Sequence, residues 1–348
     1  RCFQSAALKL SPHINVIYGD NGSGKTTILE AAHLLGTGRS FRTSDPDLAI
    51  RDGSDEFLIR GTLTHRDGSQ LKLGLRRRDG HTTIRLNQQV LKAATELTRL
   101  MPVSVVTPDT HVEMLASPKA RRRWLDVTLF HVKPGFLDLW KRYMRGIKHR
   151  NMLLRRQAND EALEAWDIEI SRSGTELHRA RLNILSELSA ESQRLLNSIF
   201  TGSSNGFVFH QGWAAGTELD AALRRSRDTD RQLGSTRIGP HRADIGLVMD
   251  EKPIGTRLSR GQLKLWIGAL VLAQAAVVAK ASGEAPILLV DDLISDLDAF
   301  ARQRLLGLLG ETKSQLLFTT TEAESVPTPE HIPLAVFHVK QGEISRIQ

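Results

Sequence analysis

Eight consecutive residues constrain this chain more than any others. Gly19, Asp20, Asn21, Gly22, Ser23, Gly24, Lys25 and Thr26 spell G-x-x-x-x-G-K-[ST]. Glycines in such a loop let successive backbone N–H groups curl around a polyphosphate. Lys25 brings a point charge to the outer phosphate oxygens, and the Thr26 hydroxyl suits a Mg2+ ligand. The motif requires an apolar strand before it and a helix after it. Ile14 to Tyr18 supply the strand, and Lys25 to about Leu35 supply a helix whose positive end faces the same anion. An α/β phosphate-loop fold follows, with ATP and Mg2+ as the expected ligands.

A second site follows from residues 287–292. Ile287, Leu288, Leu289 and Val290 form a short apolar strand that ends in Asp291 and Asp292. Two adjacent carboxylates at the end of a buried strand call for a cation or a proton to be handled there. Asp291 is the expected Mg2+ ligand, through water. Asp292 is the candidate general base toward an attacking water, with Lys25 as the other catalytic group. Taken alone, the pair also suits a surface turn capping the next helix.

A third segment changes the expected assembly. Leu258, Ser259, Arg260, Gly261 and Gln262 precede a helix and match the ABC ATPase signature L-S-x-G-Q. In isolation they describe an N-capped helix start. Beside the other two motifs, the Ser259 hydroxyl and the exposed helix amides make a second site for the terminal phosphate. In that fold the signature completes a partner's site, so two ATP molecules are sandwiched between two heads. Asp296 and Asp298, within Ser295 to Asp298, fit the D-loop that crosses such an interface.

Around these motifs, alternating apolar positions at Phe57/Ile59, Leu71/Leu73/Leu75 and Ile84/Leu86 predict an antiparallel sheet beside the loop. Val103 to Val106 is a further strand. From about Met114 to Phe200 the pattern is helical. Phe136, Trp140, Tyr143, Met144 and Ile147 share one face, and Leu177, Ile184, Leu188, Leu195 and Ile199 form a coiled-coil-like seam. A turn near residues 157–160 makes an arm that goes out and returns. Strands at Phe207/Phe209 and Ile245/Leu247/Met249 follow. After them come a helix over 262–281, a helix over 299–309, a strand over 316–318 and a hairpin turning at Gln341-Gly342. Three parts are expected: 1–113 with the phosphate loop, a helical arm over 114–203, and 204–348 with the signature, the Walker B strand and the D-loop.

These motifs, with the Gly38 to Arg42 run and the Gly239 to Asp244 segment, occur in the order found in the bacterial RecF family, which the chain resembles over essentially its whole length. The resemblance implies an ABC/SMC-type ATPase head (a P-loop NTPase with a mixed sheet) plus a short α-helical lobe. It also implies a slow, DNA-stimulated ATPase that forms a homodimer with ATP on single-stranded or duplex DNA and at gap junctions. RecR and RecO are the implied partners in loading RecA at gaps, together with a part in the SOS response. Two features differ from the family pattern: Asp296 stands where the D-loop usually carries Glu, and the family's first strand would precede Arg1. Alternatives of the same motif class are a structural DNA clamp with incidental hydrolysis and a transporter's nucleotide-binding subunit. The latter would want a Q-loop glutamine and a switch histidine, where this chain has Pro108-Asp109 and Thr319 to Thr321.

Charge distribution favours nucleic acid. The chain carries a formal +8, and residues 116–156 alone hold twelve Lys/Arg against two Asp. Lys141, Arg145, Lys148 and Arg155 recur at helical spacing, with Arg121, Arg122 and Arg123 upstream. Such a stripe can neutralise several backbone phosphates with little sequence preference. The same spacing suits a solvated helix face. Arg39 and Arg42 are further positions that could meet nucleotide or DNA. The single cysteine, Cys2, excludes a disulfide framework or thiolate metal cluster. The most apolar stretch, Leu265 to Ala279, falls short of the ~20 residues of a spanning helix. With no charged-then-apolar leader, a cytoplasmic address and no membrane contact are expected.

Overall fold

The computed structural model describes residues 1–65, 67–293, 297, 299–310, 312–321 and 333–348. Its first half runs β1 (Ile14–Tyr18), α1 (Lys25–Thr37), β2 (Glu56–Thr64), β3 (Gln70–Arg78), β4 (His81–Leu86), β5 (Gln89–Val90), α2 (Ala94–Leu100) and β6 (Val103–Val106). Helices α3 (Thr110–Ala116), α4 (Pro118–Val132), α5 (Phe136–Arg155) and α6 (Asp160–Ile199) follow. Then come β7 (Asn205–His210), α7 (Leu219–Arg225), α8 (Arg227–Leu233), β8 (Asp244–Met249) and β9 (Lys252–Pro253). The chain ends with α9 (Arg260–Ser282), β10 (Ile287–Val290), α10 (Ala299–Gly310), β11 (Leu316–Thr320), β12 (Leu334–Lys340) and β13 (Glu343–Arg346). Two compact units result, one of residues 1–111 with 259–348 and one of residues 112–258.

The first unit is built on a six-stranded sheet ordered β13-β12-β1-β11-β10-β6. Strand β1 pairs in parallel with both β11 and β12, and β10 pairs in parallel with β11 and β6; only β12–β13 is antiparallel. The central strands are buried on both faces, which is why β1, β10 and β11 are near-continuous apolar runs rather than alternating ones. Polar residues buried in this sheet are hydrogen-bonded, as Asn15 shows. Asn15 is fully buried, and its amide bonds Ser11 N, Ser11 O and Leu316 O at 2.7–3.0 Å. The second sheet, β2-β3-β4-β5, is antiparallel throughout and alternates buried with exposed positions. Leu73, Leu75 and Ile84 from this sheet join Leu29, Leu34 and Leu35 of α1 in one core.

Helix α1 lies close against its neighbours because it carries glycine where they approach. A Cβ on Gly36 would stand 2.4 Å from the Val103 side chain. Helix α9 is buried over most of its length, from Leu263 to Val278. It is long and apolar enough to cross a membrane by composition, yet 72% of that stretch is buried inside the fold, as expected for a core helix. The closing hairpin turns at Gln341-Gly342, both at positive φ.

The second unit centres on α5 and α6, antiparallel partners joined by a turn at residues 156–159. Asn159 caps α6 by accepting from Ala162 N. The seam residues Leu177, Ile184, Leu188, Leu195 and Ile199 are all buried. On α5 the inward face is Phe136, Leu139, Tyr143, Ile147 and Leu154, while Trp140 stays 36% exposed, one step round from the buried Leu139. The three-stranded sheet β7-β8-β9 belongs to this unit, because β7 packs on α6 and β8 on α4. The head segment expected to resume at residue 204 therefore resumes at Ser259. The buried Arg150 guanidinium holds the unit together, donating to Asp167 at 2.6 Å, Asp230 at 2.7 Å and the Thr236 hydroxyl at 2.9 Å.

Candidate phosphate site at the strand ends

Parallel pairing sets the site. With β11 between β1 and β10, the loop after β1, the end of β11 and the residues after β10 meet at one edge of the sheet. This is where open α/β sheets place ligands. The register sets Ile17 beside Thr319 and Val290 beside Phe318, so Asp291 follows directly at the level of Thr319.

The loop is shaped by its glycines and by its own lysine. Gly19 has φ 153°, and a Cβ there would stand 2.2 Å from the Val339 carbonyl oxygen. Gly24 has φ 116°, and a Cβ there would collide with Cys2 and the Phe3 ring at 2.6–2.7 Å. Lys25 is buried, and its Nζ donates to the Gly19 and Asp20 carbonyls at 2.7 and 2.9 Å. Helix α1 starts at Lys25 with no side-chain cap; Thr27 N already donates to the Gly24 carbonyl at 2.9 Å, so the Lys25 and Thr26 N–H groups are the ones left for a ligand. The Ser23 hydroxyl is buried in the loop with no protein partner. Asp20, Asn21 and Gly22 form the exposed tip.

Opposite the loop, Asp291 Oδ1 accepts from Thr26 Oγ1 at 3.0 Å and from Thr319 Oγ1 at 2.7 Å. The Thr319 hydroxyl also accepts the Asp292 N–H at 2.9 Å. Asp292 sits in the left-handed region, φ 44°, a conformation Asp tolerates better than most residues and one found where side chains are held for function. Thr26, Asp291 and Thr319 thus form one hydroxyl–carboxylate–hydroxyl chain across three elements. Thr319 is the member that sequence reasoning missed as a site residue. The sequence offered only a partial signal, a hydroxyl directly after the apolar strand over 316–318; its place beside Asp291 comes from the strand order.

The segment after α1 folds back on that helix through Glu30, which is 1% exposed. Glu30 accepts two bonds from Arg1 at 3.1 Å and one from Ser40 Oγ at 2.6 Å, and pairs with Arg42 at 3.5 Å. The Arg39 carbonyl is bound to His33, while the Arg39 guanidinium faces solvent.

Ser259 caps α9 in a capping box: Gln262 N donates to Ser259 Oγ at 3.3 Å and Ser259 N to Gln262 Oε1 at 2.9 Å. Ser259, Arg260 and Gln262 are exposed, and Gly261 is half-buried. Among the described residues no hydrogen bond or ion pair links them to Gly19–Thr26. Asp296 and Asp298 lie outside the described residues.

The arginines proposed for DNA divide into two kinds. Arg121 is a structural residue. It is buried, paired bidentately with Asp244 at 2.8 and 3.0 Å, and donates to the Met114 and Leu115 carbonyls. Burial raises the Asp244 carboxyl, but the Arg121 bonds outweigh it and hold that carboxyl below its usual range. Arg122 donates to the Ala243 carbonyl at 2.6 Å, and desolvation, then Arg181, lowers its pKa. Spacing alone could not show this, because the partners lie about 120 residues away at the Gly239–Asp244 segment. Arg123, Lys141, Arg145, Lys148 and Arg155 are exposed, the last four along α5.

The fold and the strand-edge constellation define an ATPase head of the ABC/SMC class. The family model described as the RecF/RecN/SMC N-terminal domain matches residues 1–345. Within that class the chain belongs to the RecF family. It is 37% identical to the DNA replication and repair protein RecF of Pseudomonas putida (strain GB-1), over 97% of this chain and 93% of the relative. To the protein of that name from Aliivibrio fischeri (strain MJ11) it is 33% identical, over 97% and 95%. Among solved structures, the recombination mediator protein RecF with ATP, of the RecFOR pathway, matches with a TM-score of 0.88 at 23% identity, covering all of this chain and 95% of that one. An Smc head bound to the C-terminal winged-helix domain of ScpA matches with a TM-score of 0.58 at 15% identity, over 97% and 90%.

Proposed function

We propose that this chain is a DNA-dependent ATPase of recombinational repair, whose ATP sites are each completed by a second copy of itself. In this reading it acts in the cytoplasm with RecR and RecO to place RecA at single-stranded gaps and contributes to the SOS response. The observation that carries the proposal is the Thr26–Asp291–Thr319 chain facing an uncapped helix and a glycine loop. Its relatives' name and the ATP-bound RecF structure of the same fold support it.

The residues fit a magnesium nucleotide. Thr26 Oγ1 and Asp291 Oδ1 are hard oxygen donors already 3.0 Å apart. Among the described residues no group of three His, Cys, Asp or Glu gathers, so a cation here would share its shell with phosphate oxygens and water. When bound, Mg2+ neutralises charge on the outer phosphates. Lys25 exchanges its two carbonyl partners for phosphate oxygens, and the α1 amides with the Ser23 hydroxyl receive the rest of the anion. Asp292 orients and deprotonates the attacking water. The exposed Ser259–Gln262 helix start reaches the terminal phosphate held by the other copy. The exposed α5 stripe meets DNA backbone.

Sedimentation mass and ATP turnover, each with and without DNA, test this. The account expects a monomer without nucleotide, a dimer with Mg-ATP, and turnover raised by DNA. A monomer at saturating Mg-ATP, or turnover indifferent to DNA, contradicts it.

A further inference from the structure

One feature of the second unit plays no part in the ATP chemistry. A half-open groove of about 510 Å³ is lined by His178, Leu182, Phe209, His210, Gln211 and Trp213. The His178 ring stacks on Phe209 with centroids 5.7 Å apart and 29° between planes, and meets Trp213 edge-on at 5.1 Å. His178 Nδ1 is buried with no protein partner, and burial, then Arg181 and Arg179, pushes its pKa down, which disfavours a charged ring. None of the lining residues is acidic. The groove wall is firm: Gln211 Nε2 donates to the Trp213 and Ala214 carbonyls, and Trp213 Nε1 to the Thr217 carbonyl at 2.9 Å.

The groove adjoins the Gly239–Asp244 segment through Gly212. Gly239 N donates to Gly212 O at 3.1 Å, and a Cβ on Gly212 would lie 2.3 Å from Gly239 O and 2.8 Å from Ala243 N. That segment is fixed by Arg181, Arg122 and Arg121, which bind Pro240 O, Ala243 O and the Asp244 carboxylate. Its one exposed side chain of charge is Arg242. Among the described residues, neither Arg242 nor the exposed Arg179, next to His178 on α6, has an ion-pair partner. Aromatic rings, with two guanidiniums free of ion pairs on residues next to the lining, Arg179 after His178 and Arg242 with its backbone against Gly212, match one chemistry: a flat base joined to a phosphate.

We infer that this groove takes an unpaired base of single-stranded DNA, stacked among His178, Phe209 and Trp213, with the adjoining phosphates on Arg242 and Arg179. The inference rests on the DNA-binding reading above and adds a preference to it. Backbone contact along α5 is blind to strand number, whereas a stacking groove admits only a base free of its partner. The site would therefore distinguish gap from duplex.

Fluorescence anisotropy with the full chain and Mg-ATP tests it, using three probes: short oligo-dT, an abasic strand of equal length, and a duplex. Wild type is expected to bind oligo-dT about tenfold more tightly than the abasic strand. Trp213→Ala should erase that difference while leaving duplex binding unchanged. Leu182→Glu, a substitution at a 41% exposed rim position that threatens no core, should do the same. Arg242→Gln should weaken both single strands. Equal binding of oligo-dT and abasic strand by wild type, or an undiminished preference in both groove variants, overturns the inference and leaves the α5 reading standing. Failure of wild type to bind any DNA instead removes the function on which both rest.

Discussion

Thr319→Val is the sharpest perturbation of the nucleotide site, because it removes one hydroxyl and conserves volume. That hydroxyl donates to Asp291 at 2.7 Å and accepts the Asp292 N–H at 2.9 Å. Thr319 is fully buried, so water cannot take over either role. A hydrogen bond to a carboxylate contributes about 1.5–3 kcal/mol, and loss of a buried amide's acceptor about 1–3, with partial overlap, giving roughly 2–4 kcal/mol for the change. Thr319→Ser keeps the hydroxyl and loses one methyl, about 0.8 kcal/mol. With two units in the chain, a single melting midpoint is a poor measure. Amide hydrogen exchange read on peptides spanning residues 288–293 is local. The Val variant should speed exchange there by about a hundredfold, and the Ser variant by only a few-fold. Turnover should fall with Val and persist with Ser. Equal exchange in the two variants would refute the shared-hydroxyl argument.

Lys25→Ala should abolish nucleotide binding, measured by titration calorimetry. Asp292→Asn should bind normally but lose turnover, and unchanged turnover would remove it from the base role. In the second unit, burial pushes His241 down to about 4. Its Nδ1 accepts from Tyr143 at 2.6 Å and its Nε2 donates to the Thr236 carbonyl at 3.0 Å, which fixes the neutral ring. Because the unfolded imidazole binds its proton near pH 6.5 and the folded one does not, stability rises with pH in this window. It is fully present above about 6.5 and falls by about 3 kcal/mol toward pH 4. Urea unfolding of wild type and His241→Gln across that range should show a steeper slope in wild type, the variant keeping only what His178 and the carboxylates contribute. Arg145→Ala should reduce the salt slope of DNA binding by about 1. Arg121→Ala should leave that slope unchanged while destabilising the fold by about 3 kcal/mol, since it strands a partly buried Asp244.

The legible parts of the sequence were those fixed by local pattern. The Gly19–Thr26 motif, the apolar run ending at Asp291 and the alternation of β2–β4 each carry their geometry within a few residues. What needed the structure was long-range. Thr319 becomes a site residue only because β11 lies between β1 and β10. Arg121 looked like a free cation because its partner Asp244 is 123 residues away. Residues 204–258 joined the helical unit because β7 and β8 pack on α6 and α4, a choice no local period encodes. The stripe Lys141, Arg145, Lys148 and Arg155 was readable because helical spacing alone decides which side of α5 faces water.

Mixing two inactive variants measures the split centre directly. Lys25→Ala lacks the phosphate lysine and Ser259→Arg obstructs the signature helix, so each alone should be without turnover. If each centre draws its halves from different copies, a mixed dimer regains one intact centre, and the mixture hydrolyses ATP at a rate neither variant shows. A mixture no more active than its separate components would place both segments in the service of a single copy and contradict the account.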